Sequence, residues 1–489
     1  MYCDGKGNAG PAAVVLAAVG VVVFGVSLGE RWTLGEMARP KGHLATWLIG
    51  GIVLLALAGW LLARLRAAPE RRAPLFGLAG IAFGLQWLCL TAHPLGQASL
   101  AALVLNPASN SYVQTAREQG ASLAMLRDYH RRMPRLMSHA QTQGAGPVLF
   151  FGGLHRFFRR CPLTAPVAET AIALDPGLST KALAVAFGDW WRWPISPDDV
   201  SAAYMVALLV MALAASGVVA AGLLGERVGG SHGLVVGAAA YLLIPGLTLY
   251  ASSLDTVYAA LTGWTLLAWV RAVEADHDGG AVHWAQLVGL GLAVGLGVTL
   301  GYLIIIAAIA GATLLLWWRA GRRARWLAAR SPLLVVPLLG ALLAKLALGY
   351  DLLAVSRVSD ALREHGYNQL WNRPYATFLW RNEWEALVFL GLPLATLAVI
   401  AARGALRVDG CRLLSLCLAV LLAATVITGR IRGETSRMWL FAAPVVSTWL
   451  AAGLAEPDSP AARRRLLALA LLAAAWLLIL RGLVNVWAF

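Results

Sequence analysis

The sequence predicts an all-α polytopic membrane protein with about 13 transmembrane helices and a large first outer loop carrying interfacial helices. Three observations predict it. Of the 489 residues, 59% are hydrophobic and only 13% are charged. The mean hydropathy of +0.68 is far above what a soluble surface carries. The apolar residues also fall in runs of roughly 18 to 24, the length that crosses the bilayer hydrocarbon as a helix. Hydrocarbon offers the backbone no hydrogen-bonding partner, so such runs must satisfy themselves as helices. The runs continue along the whole chain, so residues 1–489 read as a single transmembrane domain. A soluble enzyme and a simple DNA-binding domain are excluded.

Windows of about 19 residues place spans at 11–28, 45–64, 74–92, 201–224, 233–250, 256–271, 285–299, 301–318, 331–349, 385–402, 412–428, 438–455 and 466–486. The first run, Pro11 to Leu28, follows a single Lys6 and ends in Gly29-Glu30-Arg31-Trp32 instead of a small-residue cleavage site. It reads as a retained span and not a signal peptide. The stretch from 285 to 318 is too long for one span and is divided at Thr299-Leu300-Gly301, where Gly and Thr suit a tight turn.

The net charge of +15 would suggest nucleic acid in a soluble protein. Here the excess sits in short clusters between apolar runs: Arg64, Arg66, Arg71 and Arg72; Arg319, Arg322, Arg323, Arg325 and Arg330; Arg403, Arg407 and Arg412; Arg463, Arg464 and Arg465. All fall on one side, which the positive-inside rule makes the cytoplasm. The chain is therefore expected in the cytoplasmic (inner) membrane, multi-pass, N-terminus inside and C-terminus outside, with no nucleic-acid partner. Segments 93–200, 350–384 and 429–437 then face outward. The five cysteines, Cys3, Cys89, Cys161, Cys411 and Cys417, show neither metal-ligand spacing nor a disulfide framework.

Within the long outer segment, Leu123, Leu126, Tyr129, Met133 and Leu136 recur at three- and four-residue steps, predicting an interfacial helix over Leu123–Met137. Pro147–Phe158 is too short to span and predicts a second helix lying on the membrane, with His155, Arg156, Arg159 and Arg160 along it; an additional span there is the competing reading.

Candidate chemistry lies at the outward turns. Arg430, Arg432 and Arg437 crowd a very short loop where the charge rule expects few basic residues. Arginine forks match phosphate oxygens, so these three are read as lipid-phosphate ligands; an ion pair with Glu434 plus headgroup contacts is the plainer alternative. Asp255 lies at the rim between two apolar runs, either as a working carboxylate or as the N-cap of the next helix. Asn106, Asn110 and Tyr112 in Asn106-Pro-Ala-Ser-Asn-Ser-Tyr112 suit sugar hydroxyls or simply form a turn. His130 and His139 are candidate bases. Segment 350–384 mixes aromatics with polar groups, Tyr367, Asn368, Trp371, Arg373, Tyr375, Trp380 and Asn382 among them, as an aromatic belt or a carbohydrate surface does. No glycine-rich nucleotide loop, nucleophile triad or His-Glu zinc motif is present in the sequence.

The order of these features resembles the GT-C superfamily of integral membrane glycosyltransferases. The similar pieces are the large first outer loop, here Asn106 to Phe158, the stretch Pro245 to Asp255 closing a span, and the late arginine-rich loop. Asn106 to Tyr112, Gly146-Pro-Val-Leu-Phe-Phe151, Arg373-Pro-Tyr375 with Asn382, and Arg432-Gly-Glu-Thr-Ser-Arg437 look like a bacterial branch of that superfamily. The resemblance implies a polyprenyl-phosphate-linked sugar donor and an acceptor that is a cell-envelope glycan, lipid or protein. It also implies an acidic residue in the first outer loop, as base or ligand of a divalent metal. This chain departs there: the strip offers Asn106 and Asn110, and the nearest acids are Glu118 and Asp128.

The expected reaction is an inverting transfer at the outer face. Asp255, Glu434 and His139 are the catalytic candidates, Arg430, Arg432 and Arg437 hold the lipid phosphate, and Asn106, Asn110, Tyr112, Tyr375 and Asn382 line the sugar or acceptor. No cofactor is read from the residues themselves. Two rivals stand beside it: a transporter or flippase of a lipid-linked or anionic solute, and a catalytically silent GT-C-like scaffold. The sequence shows no clear internal repeat of the kind many transporters carry.

Overall fold

The computed structural model describes residues 44–108, 110–275, 278–319, 321, 323–365, 374–427, 435–454 and 460–483. Every element among them is helical. Four helices are long and apolar enough to cross a membrane, or six when each of two bent pairs counts as one span, and shorter apolar helices accompany them. This is the architecture of a multi-pass membrane protein. The expected first span, 11–28, lies outside the described residues.

Leu44–Ala67 and Ala73–Thr91 pack as an antiparallel pair, Gly50 against Leu88 and Gly77 against Leu61. Pro74 opens the second helix, where its missing N–H costs no hydrogen bond. Pro197–Ala215 begins with a capping box in which Ser196 and Asp199 satisfy each other's backbone N–H. The next helical run, Gly217–Leu242, is a hairpin. Its dihedrals leave the helical region at Gly229 and Gly230, the latter at φ +62. Beyond that turn the chain returns on itself, with Gly217 facing Tyr241, Gly225 facing Gly233 and Gly237 facing Ala221. A Cβ at Gly225 or Gly233 would overlap the other's backbone.

The helix Ala443–Gly453 completes this seam. The backbone of Ala451 touches Gly229, Pro444 packs on Gly263, and Gly453 meets Ala401 and Gly404 of Leu392–Ala405. Close backbone approach through small residues is how helices associate where lipid removes the hydrophobic drive between them. At the periphery the first and last described helices join: Trp47 donates to the Leu478 carbonyl (3.0 Å), and the buried Arg481 donates to Cys89 O (3.2 and 3.3 Å).

The arginine-bearing turns gather at one end of the bundle. Arg72 pairs with Glu226 (2.7 Å) and Arg227 with Glu274 (3.7 Å), and Arg330 donates to Ala275 O (3.0 Å). The opposite end is built from residues 93–196 and the turns around Asp255, Thr299 and Tyr350.

Three expectations are corrected. Leu123–Met137 is not one helix but a 3-10 turn at Leu123–Leu126, a single turn at Tyr129–Arg132 and another 3-10 turn at Met133–Arg135. Asp128 in the left-handed region (φ 54) and Pro134 break it. The periodic residues Leu126, Tyr129, Met133 and Leu136 are nonetheless buried, so the pattern reported burial in the protein and not a membrane-facing helix. The helix expected at Pro147–Phe158 forms as Gly146–Arg160, and one of its faces buries Val148, Phe151 and His155 against the protein. Asp255 is not an N-cap: Ser253 holds the extended cap conformation and Asp255 sits in the first turn of Leu254–Glu274. The expected span 385–402 is broken at Gly391 (φ +96), where Tyr375–Leu390 and Leu392–Ala405 meet at 95°.

The seam separates two costs of substitution. Gly225→Leu forces two backbones apart and is expected to destabilise by about 3 kcal/mol. Gly230→Ala meets open space but keeps backbone at φ +62, ψ −153 that is nearly reserved for glycine, and loses about 2 kcal/mol to that strain alone. Thermal midpoints of the two purified variants in detergent check the order; equal losses would refute it.

Candidate functional site

Three side chains from distant stretches meet at the end opposite the arginine-bearing turns. Asp255 lies in the first turn of Leu254–Glu274, where the helix dipole favours a carboxylate, and Thr256 steadies that turn by donating to Ser253 O (2.8 Å). Arg437 lies on the short helix Thr435–Met438, which leads through Leu440–Ala442 into Ala443–Gly453 of the seam. Its Nε stands 3.0 Å from Asp255 Oδ2, and its Nη2 stands 3.1 Å from Nε2 of His139. The Arg437 and Asp255 side chains are 18% and 22% exposed, so water reaches the pair without flooding it. A guanidinium cannot give up its proton, so Nη2 donates and His139 Nε2 accepts, which leaves the His139 proton on Nδ1.

The turn carrying His139 is held from three directions. Ser111 Oγ donates to Met137 O (2.8 Å) and accepts from Ala140 N (2.9 Å), while Tyr129 donates to Ala140 O (3.2 Å). Thr142 O accepts from Ser359 (2.6 Å) and Arg363 (3.3 Å), and Ala145 N donates to the Tyr350 hydroxyl (3.2 Å). The Asn106–Tyr112 strip thus both positions the imidazole and lies beside it. Asn106 Oδ1 accepts from Ala108 N (2.8 Å), and Asn110 N donates to Asn106 O (2.8 Å). Both amides are buried, yet Asn106 Nδ2 and Asn110 Oδ1 have no partner among the described residues. Buried polar atoms are normally satisfied, so these two are unspent hydrogen-bonding groups beside the His139 turn. Tyr112 is buried and stacks on Phe151 at 5.6 Å.

Sequence reasoning missed Tyr258. It lies one turn after Asp255 on the same face, is hydrogen-bonded to Thr299, and is electrostatically coupled to both Asp255 and Tyr112. The i, i+3 spacing from Asp255 was the available signal. Of the other expected residues, Tyr375 donates to Ile427 O (2.6 Å), and Asn382 is buried on the same helix, which packs against Thr435–Met438. Arg430, Arg432 and Glu434 lie outside the described residues, as does Arg373. His130 sits on a separate turn, Tyr129–Arg132. Glu118 is taken by Gln114 (2.8 Å) and Asp128 leans on Arg131 (3.9 Å), so neither acid joins Asp255. Among the described residues no group of three or more His, Cys, Asp or Glu is arranged to hold a metal ion.

A second polar centre, also missed, lies around Asp199. This carboxylate is 1% exposed and accepts from Ser196 N (2.9 Å), Ser196 Oγ (2.8 Å) and Arg117 Nη1 (2.8 Å). Arg159 Nε and His155 Nε2 stand 3.5 and 3.6 Å from its other oxygen. Burial lowers the His155 pKa from 6.5 to about 4, outweighing the attraction of Asp199.

Two predictions follow from this geometry. Folded His155 resists protonation below pH 6.5 while the unfolded chain accepts the proton, so stability is full above about pH 6.5 and falls by up to about 1.4 kcal/mol per pH unit toward pH 4. His155→Gln should roughly halve that acid limb and leave a comparable step due to His93, which burial also lowers to about 4; unchanged acid melting curves would refute the assignment. A double-mutant cycle on Asp255→Ala and Arg437→Ala should give a coupling of about 1 kcal/mol, as for a partly shielded ion pair, and zero coupling would make the contact incidental. No protein-family model matches the chain, and no curated protein matches it.

Proposed function

We propose that the chain is a membrane glycosyltransferase of the GT-C type, moving a sugar from a polyprenyl-phosphate donor to an acceptor hydroxyl of a cell-envelope glycan, lipid or protein. In this reading it crosses the cytoplasmic membrane about thirteen times, with its N-terminus inside and the Asp255 site at the outer face. The observation that carries the reading is the shared guanidinium, one arginine holding both a carboxylate and a neutral imidazole at a bundle end.

The chemistry matches what the groups can do. Asp255 accepts the acceptor's hydroxyl proton as the oxygen attacks the anomeric carbon, and the bond from that carbon to the donor phosphate oxygen breaks. The polyprenyl phosphate leaves with the bonding electrons, and its charge is met by Arg437. His139 keeps the guanidinium in plane while Asp255 is being protonated. The unpartnered amide atoms of Asn106 and Asn110, with the Tyr112 hydroxyl, are of the kind that hydrogen-bond the hydroxyls of a sugar.

The test is a transfer assay with purified protein in detergent, radiolabelled polyprenyl-phosphate sugars and membrane extract. Asp255→Asn should lower turnover by about 10²- to 10⁴-fold with donor binding retained, the range for removing a general base. Arg437→Ala should weaken donor binding as well. Transfer unchanged in both variants would remove the site. Donor binding without transfer in the unmodified protein would make it a carrier or a silent relative.

A further inference from the structure

The helices Tyr112–Gln119 and Gly146–Arg160 cross where Gly152 lies against Ala116 and Ala121, so closely that a Cβ on Gly152 would overlap both. Just beyond the crossing they leave a cavity of about 460 Å³, lined by Arg117, Arg156, Arg159, Arg160 and His155 over a floor of small residues. That volume falls in the range of small-ligand pockets, about 300–1,000 Å³. Gly120 (φ +75) turns the chain at its rim, with open space where a Cβ would stand.

Four guanidiniums here face one carboxylate, Asp199, because buried His155 stays neutral. Asp199 takes only Nη1 of Arg117 and Nε of Arg159. Arg117 is further fixed by Pro194 O (3.1 Å) and by the Trp193 ring at 5.0 Å, and Arg156 by Ala121 O (3.2 Å). Arg160 pairs with no acid among the described residues. The unspent guanidinium edges therefore sit on prepositioned arms around one cavity, an arrangement that suits phosphate oxygens. Large apolar side chains are exposed close by along the chain: Phe157 on this helix and Leu163 three residues beyond its end are both more than half exposed. Arginines beside exposed large apolar side chains are what the headgroup layer of a bilayer meets.

We propose that this cavity is a binding site for the phosphate of an anionic membrane phospholipid. The site is separate from Asp255, and the proposal does not depend on the transferase reading. Arg156 and Arg160 reach the phosphate from the exposed side, while Asp199 holds Arg117 and Arg159 in register.

The experiment measures binding of radiolabelled phosphatidylglycerol to the delipidated full chain in detergent micelles, with phosphatidylcholine and free glycerol phosphate as competitors. Phosphatidylglycerol should bind saturably, phosphatidylcholine at least tenfold more weakly, and glycerol phosphate should compete only at much higher concentration. The double variant Arg156→Ala/Arg160→Ala, whose side chains lie outside the Asp199 network, should lose at least tenfold in affinity. Arg156→Lys/Arg160→Lys, which keeps charge and removes the fork, should fall between. Equal binding of the two lipids, full affinity in the alanine variant with its melting temperature unchanged, or glycerol phosphate competing as well as the lipid would each overturn the assignment.

Discussion

Contact between backbones, made wherever glycine removes the side chain, fixes this molecule. Gly225 on Gly233 closes the 217–242 hairpin, and Gly229 and Gly453 let Ala443–Gly453 settle against it and against Leu392–Ala405. Within lipid there is little to gain from hiding one apolar side chain against another, so dispersion at short range and the loss of lipid contacts must hold the helices. The hairpin delivers the chain to Asp255, and Ala443–Gly453 begins a few residues after Arg437. Their packing therefore decides that the two charges meet at 3.0 Å.

The loop end is built on a different rule. Its hydrogen bonds run from side chains to backbone carbonyls across long separations: Ser111 to Met137, Tyr129 to Ala140, Ser359 to Thr142. Irregular backbone at this depth has no ladder to satisfy it, and each such bond also fixes a turn in place. The imidazole of His139 and the Asp199 hub are two products of that economy of partners, one facing the seam and the other facing the cavity between Arg117 and Arg160.

Hydropathy located apolar helices among the described residues, four to six of them long enough to cross a membrane where about thirteen spans were expected, because length and composition are local properties. Local pattern failed where tertiary contacts overrode it. The spacing of Leu126, Tyr129, Met133 and Leu136 marked the residues that become buried, but the left-handed Asp128 and Pro134 divided the helix that the spacing implied. Gly391 and Pro393, readable as punctuation, were absorbed into a span that the chain turns at a right angle. Asp255, His139 and Arg437 stood out singly in the sequence as charges at unusual places, yet nothing local says that they touch. Asp199 was hidden for the same reason: locally Ser196 and Asp199 have only the spacing of a capping box, and its arginine partners come from two different helices upstream.

The order in which the chain is made bears on the Asp255 contact. Synthesis proceeds at about 5–20 residues per second, so Arg437 leaves the ribosome roughly ten to forty seconds after Asp255. Throughout that interval Asp255 lacks the Arg437 guanidinium. A carboxylate buried at mid-bilayer would then lose its proton only at great expense, or its helix would slide to bring it to water. Placed in the first turn at the end of Leu254–Glu274, it can wait in contact with water until the late helices arrive. The bond from Arg481 to Cys89 and that from Trp47 to Leu478 tie stretches translated later still back to the first described helices, and so close after it.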